Sequence, residues 1–214
     1  MSFTSRRRVA MTAAAALSAL ALAACGSSDS GSGSGSGSSA AADGAPTLLK
    51  SGVLQVCTHL SYKPFQFKDD SGKVVGFDVD VMDLVAKKLG ATQEIVDIDF
   101  AQITSGAVFA AKKCDAGAAA TTINDKRKEA ILFSDPYFEA TQALLVKKDS
   151  GIKDLPDLKG KKLAVQTDTT GQEYGNKNKD ANGYEVVVFD DMPTQLAGVL
   201  AGRADAAVND NGVV

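Results

Sequence analysis

A polar segment near the middle of the chain carries residue types that could bind an anion. Two threonines, the second of them Thr122, follow the small apolar residues 116–120, which are predicted to form a strand. Asn124 or Asp125 could then cap a short helix that carries Arg127. A planar guanidinium binds a carboxylate through two parallel hydrogen bonds, and hydroxyl groups beside it can add further donors. The segment therefore predicts a carboxylate-binding site at the end of a strand.

Arg127 also belongs to a basic run, residues 126–128, and such a run alone is typical of a solvated surface. The sequence that follows favours the binding site. Residues 131–133 are apolar and predict a buried strand, and Ser134-Asp135-Pro136 ends that strand in a proline turn.

Residues 121–137 resemble the signature of the extracytoplasmic solute-binding proteins of polar amino-acid ABC importers, the family 3 type. The usual form of that signature is Thr-Ile-Thr, then Arg-Lys, then Phe-Ser-Asp-Pro-Tyr-Tyr. In this chain, Arg127-Lys128 and residues 133–137 match the later parts of that signature. The resemblance extends over most of residues 54–210. It implies a monomeric receptor that captures a free amino acid and delivers it to an ABC permease. No cofactor, metal or catalytic residue is implied.

The resemblance also implies which residues bind the ligand, position by position. Arg127 would bind the α-carboxylate, Asp210 would take the α-ammonium group, and two aromatic residues would enclose the aliphatic part of the ligand. The alternative for Asp210 is an exposed loop acid. The full set of matching positions is His59, Tyr62, Phe100, Ala120, Thr122, Arg127, Thr169, Thr170 and Asp210.

Three positions depart from the usual pattern of the family. His59 stands where receptors for basic amino acids commonly have an aspartate, which argues against arginine or lysine and favours a polar or acidic side chain on the ligand. The expected ligand is therefore a polar amino acid of the glutamate- or glutamine-like class. Asp168 and Ala120 stand where glycine is frequent. Aspartate tolerates left-handed backbone angles better than most residues, although an acid beside a carboxylate site could weaken binding.

The first 24 residues predict a lipoprotein signal peptide. Three arginines, Arg6 to Arg8, precede the apolar residues 9–24, and Cys25 follows small residues in a lipobox-like pattern. A cysteine directly after small residues suits cleavage before Cys25 and diacylglycerol attachment to its sulfur; in a plain secretory signal the cysteine would be incidental. Residues 25–45 would then be a lipidated cysteine and a flexible Gly/Ser tether, which predicts an extracytoplasmic body anchored to the membrane.

Composition and cysteine count bear on the partners of the chain and on its disulfide bonding. The chain has 23 basic and 26 acidic side chains, and this mildly acidic balance without a basic stripe disfavours nucleic acid as a partner. Three cysteines are present, and Cys25 accounts for one of them. Cys57 and Cys114 could form a disulfide in an oxidising compartment; two separately buried thiols are the alternative.

Strands and helices alternate along the body of the chain, which predicts an α/β fold with mostly parallel sheets. The resemblance implies a two-lobed, periplasmic-binding-protein-like (type II) fold, with lobe 1 at residues 46–140 and lobe 2 at residues 141–214. Asp78 is predicted to cap one helix, and residues 103–111 to form another. Family members continue well past Asp210, so the second lobe and the return to the first are expected to be incomplete here.

Two other functions use the same fold. A sensor module would report the ligand instead of delivering it. A cyclohexadienyl-dehydratase-like enzyme would need an acid or base beside the ligand. His59 and Asp168 are the candidates for that role, and neither has a visible partner in the sequence.

Overall fold

The computed structural model describes residues 46–214. The predicted signal peptide, the lipidation of Cys25 and the Gly/Ser tether lie outside the described residues and stay predictions. Within residues 46–214, no helix is both long and apolar enough to cross a membrane.

The first lobe is built on a small parallel sheet. Its elements are β1 (Val53–Thr58), β2 (Phe67–Lys68), β3 (Val74–Val75), α1 (Phe77–Lys88), β4 (Thr92–Asp97), α2 (Phe100–Thr104), α3 (Ala107–Ala110), β5 (Ala116–Gly117) and α4 (Asp125–Lys128). The strand order is β4, β1, β5, and β2 and β3 form a separate hairpin. Leu54 and Val56 of the central strand pack with α1, whereas Cys57 packs with α2 and α3. Helices thus cover both faces of the sheet, as a parallel sheet requires.

The second lobe has a four-stranded sheet with its own core. Its elements are β6 (Gln142–Val146), a 3-10 helix η1 (Leu155–Leu158), β7 (Lys162–Gln166), α5 (Thr170–Asn182), β8 (Glu185–Phe189), α6 (Met192–Leu200) and β9 (Ala206–Asp210). The order is β6, β9, β7, β8, and only the edge strand β6 is antiparallel to its neighbour. Leu163, Val165 and Val208 are buried against η1 and α5. The predicted α/β architecture with two lobes and mostly parallel sheets is confirmed.

Two predicted elements are wrong in detail. The helix expected over residues 103–111 is two short helices, because Gly106 adopts a left-handed conformation with φ 77° between them. Residues 131–133 do not form a buried strand: the side chain of Leu132 is 100% exposed. Within the described part of the chain, this segment has no sheet edge to pair with, and an apolar run becomes a strand only when it finds one.

Asp78 does not cap α1, contrary to the sequence prediction. The residue in the N-cap position is Gly76, which has φ 132° and provides no side-chain hydrogen bond to the helix. A Cβ atom at this position would overlap the backbone carbonyl of Phe65, so only glycine allows the close approach. Asp78, in the first turn, is instead turned inward and buried.

Cys57 and Cys114 are joined by a disulfide, with their Cα atoms 5.7 Å apart. Both residues are buried in the core that α2 and α3 form over the sheet. The bond links β1 to the residues that precede β5, and so it ties together the strands whose ends approach the candidate site.

Candidate functional site

A cavity lies where strand ends of the two lobes face each other. In α/β sheets, ligands bind outside the carboxyl ends of the parallel strands, and this cavity is in that place. Eight of the nine residues predicted to bind the ligand line it; His59 is the exception. The lining residues are Tyr62, Phe100, Ala119, Ala120, Thr122 and Arg127 from the first lobe, and Gln142, Gln166, Thr169, Thr170, Gly171, Val208, Asn209 and Asp210 from the second.

Arg127 is buried, with 6% of its surface exposed, and backbone oxygens hold its guanidinium. Asn124 is the helix cap that presents it, since its side chain accepts a hydrogen bond of 2.9 Å from the Arg127 amide. One guanidinium nitrogen donates to the Thr122 carbonyl and the other to the Asp168 carbonyl, each at 2.9 Å. The guanidinium carbon lies 5.2 Å from the centre of the Phe100 ring. Arg127 therefore has a fixed orientation and joins the two lobes.

The positive charge of Arg127 has no direct anionic partner in the described residues. The ion pairs found within residues 46–214 are Lys50–Glu94 and Lys128–Asp125. Burial lowers the pKa of the Arg127 guanidinium, and the more distant carboxylates of Glu173, Asp210 and Asp168 oppose that shift without reversing it. An arginine nevertheless remains charged in a protein, and a guanidinium has five N–H donors. The site is therefore suited to an anion from outside the chain.

The start of α5 adds donors on the opposite wall. The hydroxyl of Thr169 caps this helix: it accepts from the Gln172 amide at 3.1 Å and donates to the Gln166 carbonyl at 2.7 Å. That hydroxyl is thus already engaged. The amides of Thr170 and Gly171 precede the capped one, and the first amides of a helix have no acceptor within it. Together with the helix dipole they favour an anion at this end of α5.

Asp210 supplies negative charge in the same cavity. It is the last residue of β9, and 8% of its surface is exposed. Its carboxylate accepts from the Tyr62 hydroxyl at 3.1 Å and from Nε2 of Gln142 at 2.6 Å. Burial, and secondarily the charge of Asp210, raise the pKa of Tyr62, so the phenol stays a donor. The alternative of an exposed loop acid is wrong for Asp210.

Ala120 and Asp168 both have left-handed backbone angles, φ 46° and φ 56°. A left-handed conformation costs a residue other than glycine about 1–2 kcal/mol. Both residues stand where the sequence resemblance predicts glycine. Asp168 provides one of the two carbonyls that accept from Arg127, and Ala120 lies two residues before Thr122, which provides the other. The backbone shape that glycine would adopt freely is therefore kept here by surrounding contacts.

His59 lies behind the aromatic wall. Its ring centre is 6.4 Å from that of Phe100. Its Nδ1 is 2.9 Å from the Ile98 carbonyl, which can only accept, so Nδ1 carries the proton. Nε2 is buried and has no partner among the described residues. The structure thus places His59 in contact with a wall of the cavity and not in its lining.

Three polar cavity residues were missed by the sequence analysis: Gln142, Gln166 and Asn209. Each lies on a strand of the second lobe, where its neighbours along the strand are mainly apolar. A lone amide in such a strand is a usable signal, because buried polar side chains require a partner. The sequence does not reveal that all three strands end at one cavity.

The comparisons with known proteins agree with this fold. The family described as bacterial extracellular solute-binding proteins, family 3, matches residues 54–182. The chain belongs to this family.

Individual relatives have names that refer to amino acids. The arginine-binding extracellular protein ArtP of Bacillus subtilis is 34% identical over 151 residues, which cover 71% of this chain and 58% of ArtP. The chain spans about three fifths of the length of the curated relatives it matches.

Solved structures extend the similarity to the fold. An ancestral arginine-binding protein bound to arginine is 44% identical with a TM-score of 0.70, over 76% of this chain and 71% of that one. An ancestral arginine-binding protein bound to glutamine is 42% identical with a TM-score of 0.71 over the same shares of the two chains. AncCDT-1, an ancestral amino acid-binding protein described as a precursor of cyclohexadienyl dehydratase, is 37% identical with a TM-score of 0.71, again over 76% and 71%.

Proposed function

We propose that this chain is an extracytoplasmic receptor that binds a free amino acid and delivers it to an ABC permease. The observation that carries the proposal is the buried, fixed guanidinium of Arg127, which has no ion-pair partner within residues 46–214. A buried charge without a partner is costly, and a ligand carboxylate would remove that cost. Asp210 in the same cavity provides the complementary charge for an α-ammonium group.

The ligand would join the two lobes. Its carboxylate would accept from Arg127 in the first lobe and from the first amides of α5 in the second. Its ammonium group would lie between Asp210 of the second lobe and the aromatic ring of Tyr62 in the first. Contacts of this kind exist only when the lobes are together, so binding favours the closed arrangement by hinge motion.

The remaining lining favours an uncharged polar side chain on the ligand. Apart from Arg127 and Asp210, no lining residue of the described cavity carries a full charge. Amide groups of Gln142, Gln166 and Asn209 are donors and acceptors suited to a second amide. Within the glutamate- or glutamine-like class expected from the sequence, we therefore propose glutamine.

A basic amino acid is the second candidate. The carboxylates of Asp168 and Glu173 act on the charge of Arg127 from outside the lining, which makes the surroundings of the cavity acidic. A cationic side chain directed towards them would be stabilised. The names of ArtP and of the ancestral arginine-binding protein support the same candidate.

Titration calorimetry of the full chain with glutamine, glutamate, arginine, lysine and histidine tests the proposal. We expect micromolar or tighter binding of glutamine and at least tenfold weaker binding of the others. Tightest binding of arginine or lysine would favour the second candidate. If none of the five binds, the receptor proposal is wrong.

Replacing Asp168 by asparagine distinguishes the two ligand classes. Asparagine keeps the left-handed backbone and the carbonyl that accepts from Arg127, and it removes one exposed negative charge. Since an exposed charge contributes about 0.2–1 kcal/mol, we expect glutamine to bind about threefold more tightly. Calorimetry at low and high salt is the measurement, because salt should reduce the gain. Asp149→Asn, an exposed acid of another surface, is the matched control. If the best-bound amino acid instead binds Asp168→Asn more weakly than the unmodified chain, the ligand is basic, because its cationic side chain has lost an attractive negative charge.

The predicted N-terminal features complete the proposal. We propose a lipid on Cys25 that anchors the receptor to the membrane, a tether at residues 25–45, and a monomeric body whose lobes divide near residue 140. The separate sheets that end at β5 and begin at β6 support that division.

A further inference from the structure

A buried carboxylate outside the cavity touches two segments that lead to it. Asp78, 1% exposed, accepts a hydrogen bond from the Ala120 amide at 2.6 Å and another from the Tyr137 hydroxyl at 2.9 Å. No cation forms an ion pair with it in the described part of the chain. A buried acid with two donors and no counter-ion is costly to keep, and capping α1 does not account for it.

The first contact holds a strained turn of the binding site. Ala120 lines the cavity and has φ 46°, a conformation that alanine rarely adopts. Two residues later, the Thr122 carbonyl accepts from the guanidinium of Arg127. A change in the direction of the chain at Ala120 would therefore move an oxygen that orients Arg127.

The second contact reaches the segment that connects the lobes. Tyr137 lies on residues 131–141, which lead from the first lobe to β6 of the second. Burial, and then the charge of Asp78, raise the pKa of the Tyr137 phenol, so it stays a donor. Its ring also lies 5.9 Å from that of Phe77, the neighbour of Asp78.

We propose that Asp78 is a positioning residue for ligand binding: through Ala120 it holds the turn that presents Thr122 and Arg127, and through Tyr137 it connects that turn to the segment entering the second lobe. This rests on the proposed function. Of the two hydrogen bonds that Asp78 accepts, the one from the Ala120 amide reaches a lining residue, and its effect on the ligand passes through that contact.

The test compares Asp78→Ala with the same change in an Ala120→Gly background. A hydrogen bond to a charged group contributes enough that its loss should weaken amino-acid binding about tenfold or more. Glycine adopts the left-handed turn without strain and should restore affinity several-fold. Asp78→Asn, whose oxygen can accept from Ala120 and whose amide can donate to Tyr137, should stay within about threefold of the unmodified chain. A merely structural role predicts no recovery by glycine, and that result would overturn the proposal.

Two controls separate the possible failures. If the unmodified chain binds no amino acid, the receptor function fails and not the role of Asp78. Hydrogen exchange at the Ala120 amide of the unmodified chain tests the contact itself, also if Asp78→Ala does not fold. We expect slow exchange, because the amide is bonded to a buried carboxylate. Exchange at the rate of an unprotected amide would overturn the proposal.

Discussion

Arg127→Ala is expected to weaken amino-acid binding several hundredfold. Truncating one partner of a buried, hydrogen-bonded charge pair costs about 2–5 kcal/mol, and each 1.4 kcal/mol is a factor of ten. Part of this cost is direct, because the ligand carboxylate loses a bidentate donor. Another part arises because the cavity would still remove that carboxylate from water without providing a cation.

The geometry adds a second reason for a large effect. The guanidinium donates to Thr122 in the first lobe and to Asp168 in the second, and so it joins the lobes even without a ligand. Removing it should weaken the closed arrangement as well as the contact with the carboxylate. Arg127→Lys keeps a charge but has no planar pair of donors, so we expect an intermediate loss of about tenfold or more.

Titration calorimetry with the best-bound amino acid is the measurement, and a neighbouring lysine provides the control. Lys126 lies in the same short helix, is exposed and does not line the cavity. Lys126→Ala should leave the affinity within about twofold, since an isolated surface charge contributes little. Urea unfolding of each variant shows whether the fold is retained. Binding by Arg127→Ala within threefold of the unmodified chain would show that the carboxylate site is elsewhere.

Breaking the Cys57–Cys114 bond is expected to lower the free energy of unfolding by about 4 kcal/mol. The two cysteines are 57 residues apart in sequence, and closing a loop of that length removes much of the entropy of the unfolded chain. Both sulfurs also lie in the core with Phe100, Ile103 and Val108, so a smaller side chain would leave a cavity there. Breaking the bond should also disturb the ligand-binding cavity, because Phe100, which shares the core with the two sulfurs, packs against Arg127.

Urea unfolding of Cys57→Ala/Cys114→Ala measures this loss. The unmodified chain treated with reductant is the matched control, since it keeps both sulfur atoms and lacks only the bond. We expect the reduced chain to show most of this loss in the free energy of unfolding, and the double variant to show a slightly larger loss. Equal stability of the oxidised and reduced chains would mean that the bond contributes nothing.

Local patterns in the sequence were sufficient for the α/β class with mostly parallel sheets, and the family resemblance added the two lobes. Strands and helices alternate along the chain as the sequence predicts, for example in β1, α1 and β4 of the first lobe and in β7, α5 and β8 of the second. The polar residues 69–73, which include Gly72, have the composition of a tight turn, and they join β2 to β3 in a hairpin. These features depend only on residues that are close together in the sequence, so they can be predicted from the sequence without the structure.

Features that depend on distant partners were not predictable in this way. Asp78 has the sequence of a helix cap, yet its partners are Ala120 and Tyr137, 42 and 59 residues away. Residues 131–133 have the composition of a buried strand but find no neighbouring edge in the described part of the chain. His59 occupies the sequence position of a ligand-binding residue, and packing places it behind Phe100.

The sequence by itself determined the family, the two-lobed class of fold and the residue types that meet at the cavity, because composition, periodicity and the segment around Arg127 are local properties. Only the tertiary structure decided which side chains share the cavity and which groups are already occupied. The Thr169 hydroxyl is used in a cap, Asp210 is held by Tyr62 and Gln142, and Arg127 keeps its charge without an ion-pair partner within residues 46–214. The physical reason is that hydrogen bonds and burial depend on distances between residues far apart in the chain, and only folding brings those residues together.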